Sequence, residues 1–178
     1  MATATKVESG TWQLDPVHSS VGFEVAYLAG TFRGEFHDVS ADLTVDGERA
    51  HIEGSARVAS IDVKDDSLAT HLQSPDFFDA ERHPELRFRA DDIDLTGSEL
   101  DARGEITIKG VTRPVDVTGT VGEPMVDPYG RERFGLQLSA AVDRTAFGVN
   151  WNNPLPNGEP ALANDVRIVT DLQFVRPA

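Results

Sequence analysis

HLQSPDFFDAERHPELRF, residues His71–Phe88, interrupts a chain that otherwise reads as β-strand, and the manner of the interruption decides the fold. On either side of it, apolar and polar residues alternate with a period of two. Just ahead of it and at its start, Leu68 and Leu72 stand four apart behind Asp65, Asp66 and Ser67, any of which can cap a helix. Pro75 opens a second short turn, and Pro84 closes it before alternation resumes at Leu86, Phe88 and Ala90. The spacing predicts one short helical excursion within about 65–83, with the adjacent Phe77 and Phe78 at its centre. An aromatic pair carried on a short helix between two strands suits the plugging or lining of one end of a sheet closed on itself.

Outward from that stretch, strand signals recur at 11–15, 19–28, 32–46, 50–63, 85–95, 99–109, 114–123, 132–144 and 165–175. Turn chemistry separates them at Asp46-Gly47, Gly97-Ser98, Pro128-Tyr129-Gly130 and Asn157-Gly158. Many evenly spaced strands with one helical insertion predict an all-β fold, a barrel or a sandwich. Residues 1–10 read as a polar, disordered leader and 11–176 as a single domain. The segment 150–164, NWNNPLPNGEPALAN, is the longest irregular stretch, and loops of that length tend to be lids or binding loops.

At 178 residues the chain can bury roughly two-thirds of the surface exposed when unfolded, without staples. It has no cysteine, which excludes disulfides, thiolate metal sites and a cysteine nucleophile and fits a reducing compartment. The N-terminal MATATKVESG has no apolar run of the secretory kind, and no stretch is apolar enough to span a membrane, so a cytoplasmic protein is expected. A net charge of −14 argues against nucleic acid and against anionic lipid surfaces. Asp62, Asp94, Asp116, Asp143 and Asp171 sit between or beside apolar strand residues, so alternation turns them to water when their neighbours face a core.

The inward-facing sets include Val21, Phe23 and Val25; Ile52, Gly54, Ala56 and Val58; Ala102, Gly104, Ile106 and Ile108; and Leu136, Leu138, Ala140 and Val142. An eight-stranded barrel is just wide enough to fill with side chains or to hold one small ligand. The glycines and alanines in these sets fit either outcome, leaving room in a cavity or tapering a packed core. If there is a cavity, Phe23, Val25, Phe36, Leu72, Phe77, Phe78, Phe88, Leu138 and Phe147 are its expected lining.

Catalytic signatures are sparse. The five histidines form no close metal pair; His71 and His83, with Asp76 and Asp79 between them, are the best such group, and no metal or other cofactor is expected. There is no GxSxG elbow and no phosphate-binding glycine loop. Asp15, His18 and Ser19 read as a turn after the first strand rather than a relay.

The quoted stretch resembles the signature of the YceI-like family, lipocalin-like bacterial proteins that bind polyisoprenoids. Trp12, Asp15, His18, Ser19, Val21 and Phe23 resemble its opening. Gly110, Val111, Thr112, Pro114 and Val115 resemble its middle, and Asp127, Gly130, Arg144, Phe147 and Gly148 its close. Polar positions depart from the family: Tyr27 stands where histidine is common, Leu68 and Ala69 replace an Arg-Asp pair, and Ala146 replaces an acid.

The resemblance implies an elongated, eight-stranded antiparallel lipocalin-like barrel that sequesters or carries a long apolar isoprenoid, such as a polyprenyl phosphate or quinone precursor, without catalysis. A phosphate head would need a cation, for which Arg144 is the first candidate and His18 the second donor. A homodimer is compatible with the sequence. Two rivals stand: a hydrolase or isomerase using His18, His71 and Arg144 at the barrel mouth, and a packed β-domain acting through its surface.

Overall fold

The computed structural model describes residues 7–177. Its elements are β1 (Gly10–Leu14), β2 (Ser20–Tyr27), β3 (Gly30–Phe36), β4 (Val39–Asp46), β5 (Arg49–Arg57), β6 (Ile61–Asp62), α1 (Asp66–Gln73), β7 (Glu85–Asp94), β8 (Glu99–Ile108), β9 (Val111–Val121), β10 (Met125–Val126), β11 (Glu132–Asp143) and β12 (Leu162–Val175). Every pairing is antiparallel, and the eight strands β1-β4-β5-β7-β8-β9-β11-β12 return to β1 to close a barrel. β11 and β12 pair along their length, from Arg133 opposite Val175 to Asp143 opposite Asp165. The other edge of β12 is shared: β1 pairs with Phe174 and Val175, and β2 takes over from Asp171 to Leu162.

The break between β1 and β2 is a 3-10 turn at Pro16–His18. The Asp15 carboxylate accepts from Val17 N at 3.1 Å, and Ser19 Oγ donates to Asp15 O at 2.7 Å, the turn expected from these residues. The stretch 32–46, expected as one strand, is two. Phe36 and Val39 are both buried yet three residues apart, which a single pleated strand cannot achieve. The chain therefore bends at His37-Asp38, where His37 N donates to Ser60 O and Asp38 O accepts from Arg57 N.

Of the leader expected over 1–10, residues 1–6 lie outside the described residues, and the remainder is anchored. Val7 is buried, Glu8 O accepts from Trp12 Nε1, Ser9 Oγ accepts from Gly47 N, and Gly10 already belongs to β1.

The helical excursion is where the alternation fails, but its helix is short. Asp65 caps α1 by accepting from Leu68 N at 2.9 Å, and Pro75 follows its end. The remainder, to Pro84, is held by turns, with Asp79 in the left-handed region (φ 51°) and buried rather than solvated.

The barrel interior is divided. At one end Trp12, Leu43, Phe134 and Phe174 are almost wholly buried; Trp12 meets Phe134 edge-on at 5.0 Å and Phe134 stacks on Phe174 at 5.9 Å. Asp127, Arg133 and Asp15 form a largely buried ion network, with Arg133 Nη2 3.0 Å from Asp127 and Nη1 3.2 Å from Asp15. The other end is hollow. The aspartates at 62, 94, 116, 143 and 171 are all exposed, as the alternation requires.

Candidate functional site

The hollow end encloses a cavity of about 360 Å³. Its floor is the packed half: Leu14, Ile52 and Leu172 belong to or touch that core and also face the cavity. Small residues leave the space only in part. Gly54, Ala56 and Ala140 lie on the wall, whereas the room beside Gly34 and Gly104 is filled by neighbouring rings. A Cβ at Gly34 would lie 2.6 Å from Phe23, and one at Gly104 2.9 Å from Phe88.

All nine residues expected to line a cavity do line this one. Phe23, Val25 and Phe36 come from β2 and β3, Phe88 from β7, and Leu138 from β11. Phe147 follows β11, while Leu72, Phe77 and Phe78 form a roof from α1 and the turn after it. Phe78 closes an aromatic cluster, 6.3 Å from Phe23 and 5.8 Å from Phe36 between ring centres. The roof is tied down through backbone groups: Phe78 N donates to Leu72 O, Ala80 N to Gln73 O, and Lys109 Nζ to Pro75 O at 2.6 Å.

The two residues expected at a polar end are placed otherwise. His18 is exposed, pairs with Asp15 at 2.7 Å, and does not line the cavity. There, burial alone would raise the Asp15 carboxyl, but His18, Arg133 and the Val17 N–H hold it below the usual carboxylate range. Arg144 does border the cavity, yet its guanidinium serves the protein's own backbone. Nε donates to Ala163 O (2.8 Å), Nη1 to Val149 O and Trp151 O (both 2.8 Å), and Nη2 to Leu162 O and Asn164 Oδ1 (both 3.4 Å). All five N–H donors are engaged. Arg144 is thus a staple for the segment after β11, which corrects its expected role as a free phosphate clamp.

That stapled segment supplies what sequence reasoning missed. Asn152 Oδ1 accepts from Ala161 N (3.0 Å) and Leu162 N (3.1 Å), and Asn152 Nδ2 donates to Leu162 O (2.8 Å), folding the irregular loop back on itself. Trp151 is thereby set on the wall, 5.3 Å from Phe77 and 5.1 Å from His71. Tyr27, Phe32, Leu68 and His71 also line the cavity. The usable signal for Trp151 was an aromatic residue in the chain's longest irregular loop. The hydrolase or isomerase grouping does not assemble: His71 is on the wall, His18 is not, and Arg144 is engaged.

An antiparallel eight-stranded barrel with an apolar cavity, floored by a packed core and roofed by a short helix, defines a lipocalin-like β-barrel. The chain belongs to the YceI-like domain family, whose profile matches residues 12–174. A UPF0312 protein of Pseudomonas putida is 30% identical over 141 residues, covering 74% of this chain and 71% of that protein. One from Photorhabdus laumondii is 27% identical over 134 residues, covering 73% and 70%. Among solved structures, Burkholderia cenocepacia BcnA superposes with a TM-score of 0.77 at 23% identity, over 90% of this chain and 98% of that one. A polyisoprenoid-binding domain from Saccharophagus degradans superposes with a TM-score of 0.74 at 12% identity, over 96% and 100%. Among the described residues no helix is long and apolar enough to cross a membrane.

Proposed function

We propose that the protein binds a long apolar isoprenoid lipid tail-first in the cavity, and carries or stores it without transforming it. The observation that carries this reading is the 360 Å³ space walled almost wholly by hydrocarbon and closed at one end by a packed core. Fold similarity to a polyisoprenoid-binding domain supports it. Ligand pockets run to about 300–1,000 Å³, so this one takes the first few isoprene units of a longer tail. A unit of five carbons gains about 3–4 kcal/mol on leaving water, and two or three suffice for useful affinity after the entropic costs of binding. Full burial of a much longer tail would exceed the practical ceiling of roughly 18–21 kcal/mol for non-covalent affinity. Polyprenyl phosphates and quinone precursors both carry such tails.

The test is mass spectrometry of organic extracts from gently purified protein, with titration of the delipidated protein by a fluorescent polyprenyl analogue. A co-purifying prenyl lipid and saturable binding at one site per chain are expected. Absence of lipid together with non-saturable uptake overturns the reading.

A further inference from the structure

The polar groups on the cavity wall are nearly all occupied by the protein itself. Ser40 and Ser55 bond to each other, Ser139 approaches Thr118, and Thr170 donates to Leu138 O. Arg87 turns both Nε and Nη2 to Glu85, and Arg144 is engaged through all its donors. His71 is different. Its Nε2 lies 3.0 Å from the Asp76 carboxylate, while Nδ1 has no hydrogen-bond partner among the described residues. The ring borders the cavity, half-buried, held edge-on by Phe77 at 5.0 Å and by Trp151 at 5.1 Å.

A carboxylate can only accept, so Nε2 carries the proton in this pair, and the neutral imidazole then presents Nδ1 as a lone-pair acceptor. An acceptor at the edge of an apolar cavity recognises a donor. A hydroxyl supplies one; an ionised phosphate monoester supplies only oxygens that themselves need donors or a cation. The Tyr27 and Trp151 donors, unpartnered among the described residues, are neutral, no arginine on the wall is unengaged, and the chain's net charge of −14 opposes an anion.

Building on the isoprenoid reading above, we propose that His71 Nδ1 reads a hydroxyl head group, so that the ligand class is a prenyl alcohol or prenyl phenol rather than a prenyl phosphate. Asp76 is the positioning residue that fixes the tautomer.

The experiment measures binding of geranylgeraniol, its methyl ether and geranylgeranyl phosphate to wild type, His71→Phe and Asp76→Ala, at a pH of about 8. Wild type is expected to favour the alcohol over the ether by about 3–10-fold, the scale of one neutral hydrogen bond, and to bind the phosphate more weakly than the alcohol. His71→Phe keeps the edge-on packing and the ether affinity but loses the alcohol preference. Asp76→Ala reduces the preference, and nitrogen-15 NMR of the imidazole changes from the Nε2–H tautomer to a mixture. That tautomer signature, read in wild type and Asp76→Ala, still decides the matter if His71→Phe does not fold. Equal affinity of wild type for alcohol and ether, or tightest binding of the phosphate, overturns the proposal while leaving the cavity reading intact. Failure of wild type to bind any of the three overturns the cavity reading and this proposal with it.

Discussion

Arg144→Met should act on the protein's stability and on one loop, not on a ligand's charge. The residue is 6% exposed, and its side chain donates five hydrogen bonds, two of them in fully buried surroundings, to Val149 O and Leu162 O. Methionine preserves most of the stem but leaves these carbonyls without a donor. Hydrogen bonds to a charged group are worth about 1.5–3 kcal/mol each, and the three acceptors in partly buried surroundings recover much of theirs from water. The two buried acceptors therefore set the scale, an expected loss of about 3–5 kcal/mol. For a chain of this size that lowers Tm by about 10 °C, measured by calorimetry or by circular dichroism. Hydrogen exchange should quicken at the amides of Leu155, Gly158, Ala161 and Leu162, whose acceptors belong to the stapled segment. An unchanged Tm and unchanged exchange, together with selective loss of polyprenyl phosphate binding, would refute the staple and restore a ligand-facing guanidinium.

Three further outcomes follow from the same geometry. Ala56→Phe and Ala140→Phe, each at an inward wall position, should abolish uptake of a fluorescent polyprenyl analogue while leaving the far-UV circular dichroism unchanged; undiminished uptake in both would place the tail elsewhere. Gly119→Ala should cost about 3 kcal/mol in chemical denaturation, because a Cβ there falls inside the contact radius of Gln137 O and forces β9 from β11. The Asp127 carboxyl is lowered to about 2 by the Arg131 and Tyr129 N–H groups and the Arg133 guanidinium, against its burial. Its stabilisation is thus complete above the unfolded value of about 3.9 and is lost as pH falls through the folded one. The stability gap between wild type and Asp127→Asn should hold constant above about pH 4 and narrow below it; a gap that widens on acidification would contradict the network.

Local periodicity carried the sequence reading far. Alternation placed the strands, turned Asp62, Asp94, Asp116, Asp143 and Asp171 to water, and put Phe23, Val25 and Leu138 inside. The failure of alternation after Asp65 marked α1, and a cap followed by a proline bounded it. These signals are legible because a strand's facing and a helix's start depend on residues only a few positions apart. The same rule failed at Phe36 and Val39, where a bend lets both face inward.

Closure of the barrel decided the rest. The Arg133–Asp15 pair joins residues 118 apart in sequence, and Arg144 reaches acceptors up to 20 residues away; in each case the partner is chosen by which strands meet, not by local pattern. Trp151 lines the cavity because a staple and Asn152 fold its loop onto the wall, and His18 is excluded because its turn lies where β1 gives way to β2. Inward parity alone cannot distinguish a filled barrel from a hollow one, since both require the same alternation. That choice fell to three-dimensional packing: Trp12, Phe134 and Phe174 converge and fill one end, while at the other the wall, with Gly54, Ala56 and Ala140 on it, encloses a cavity.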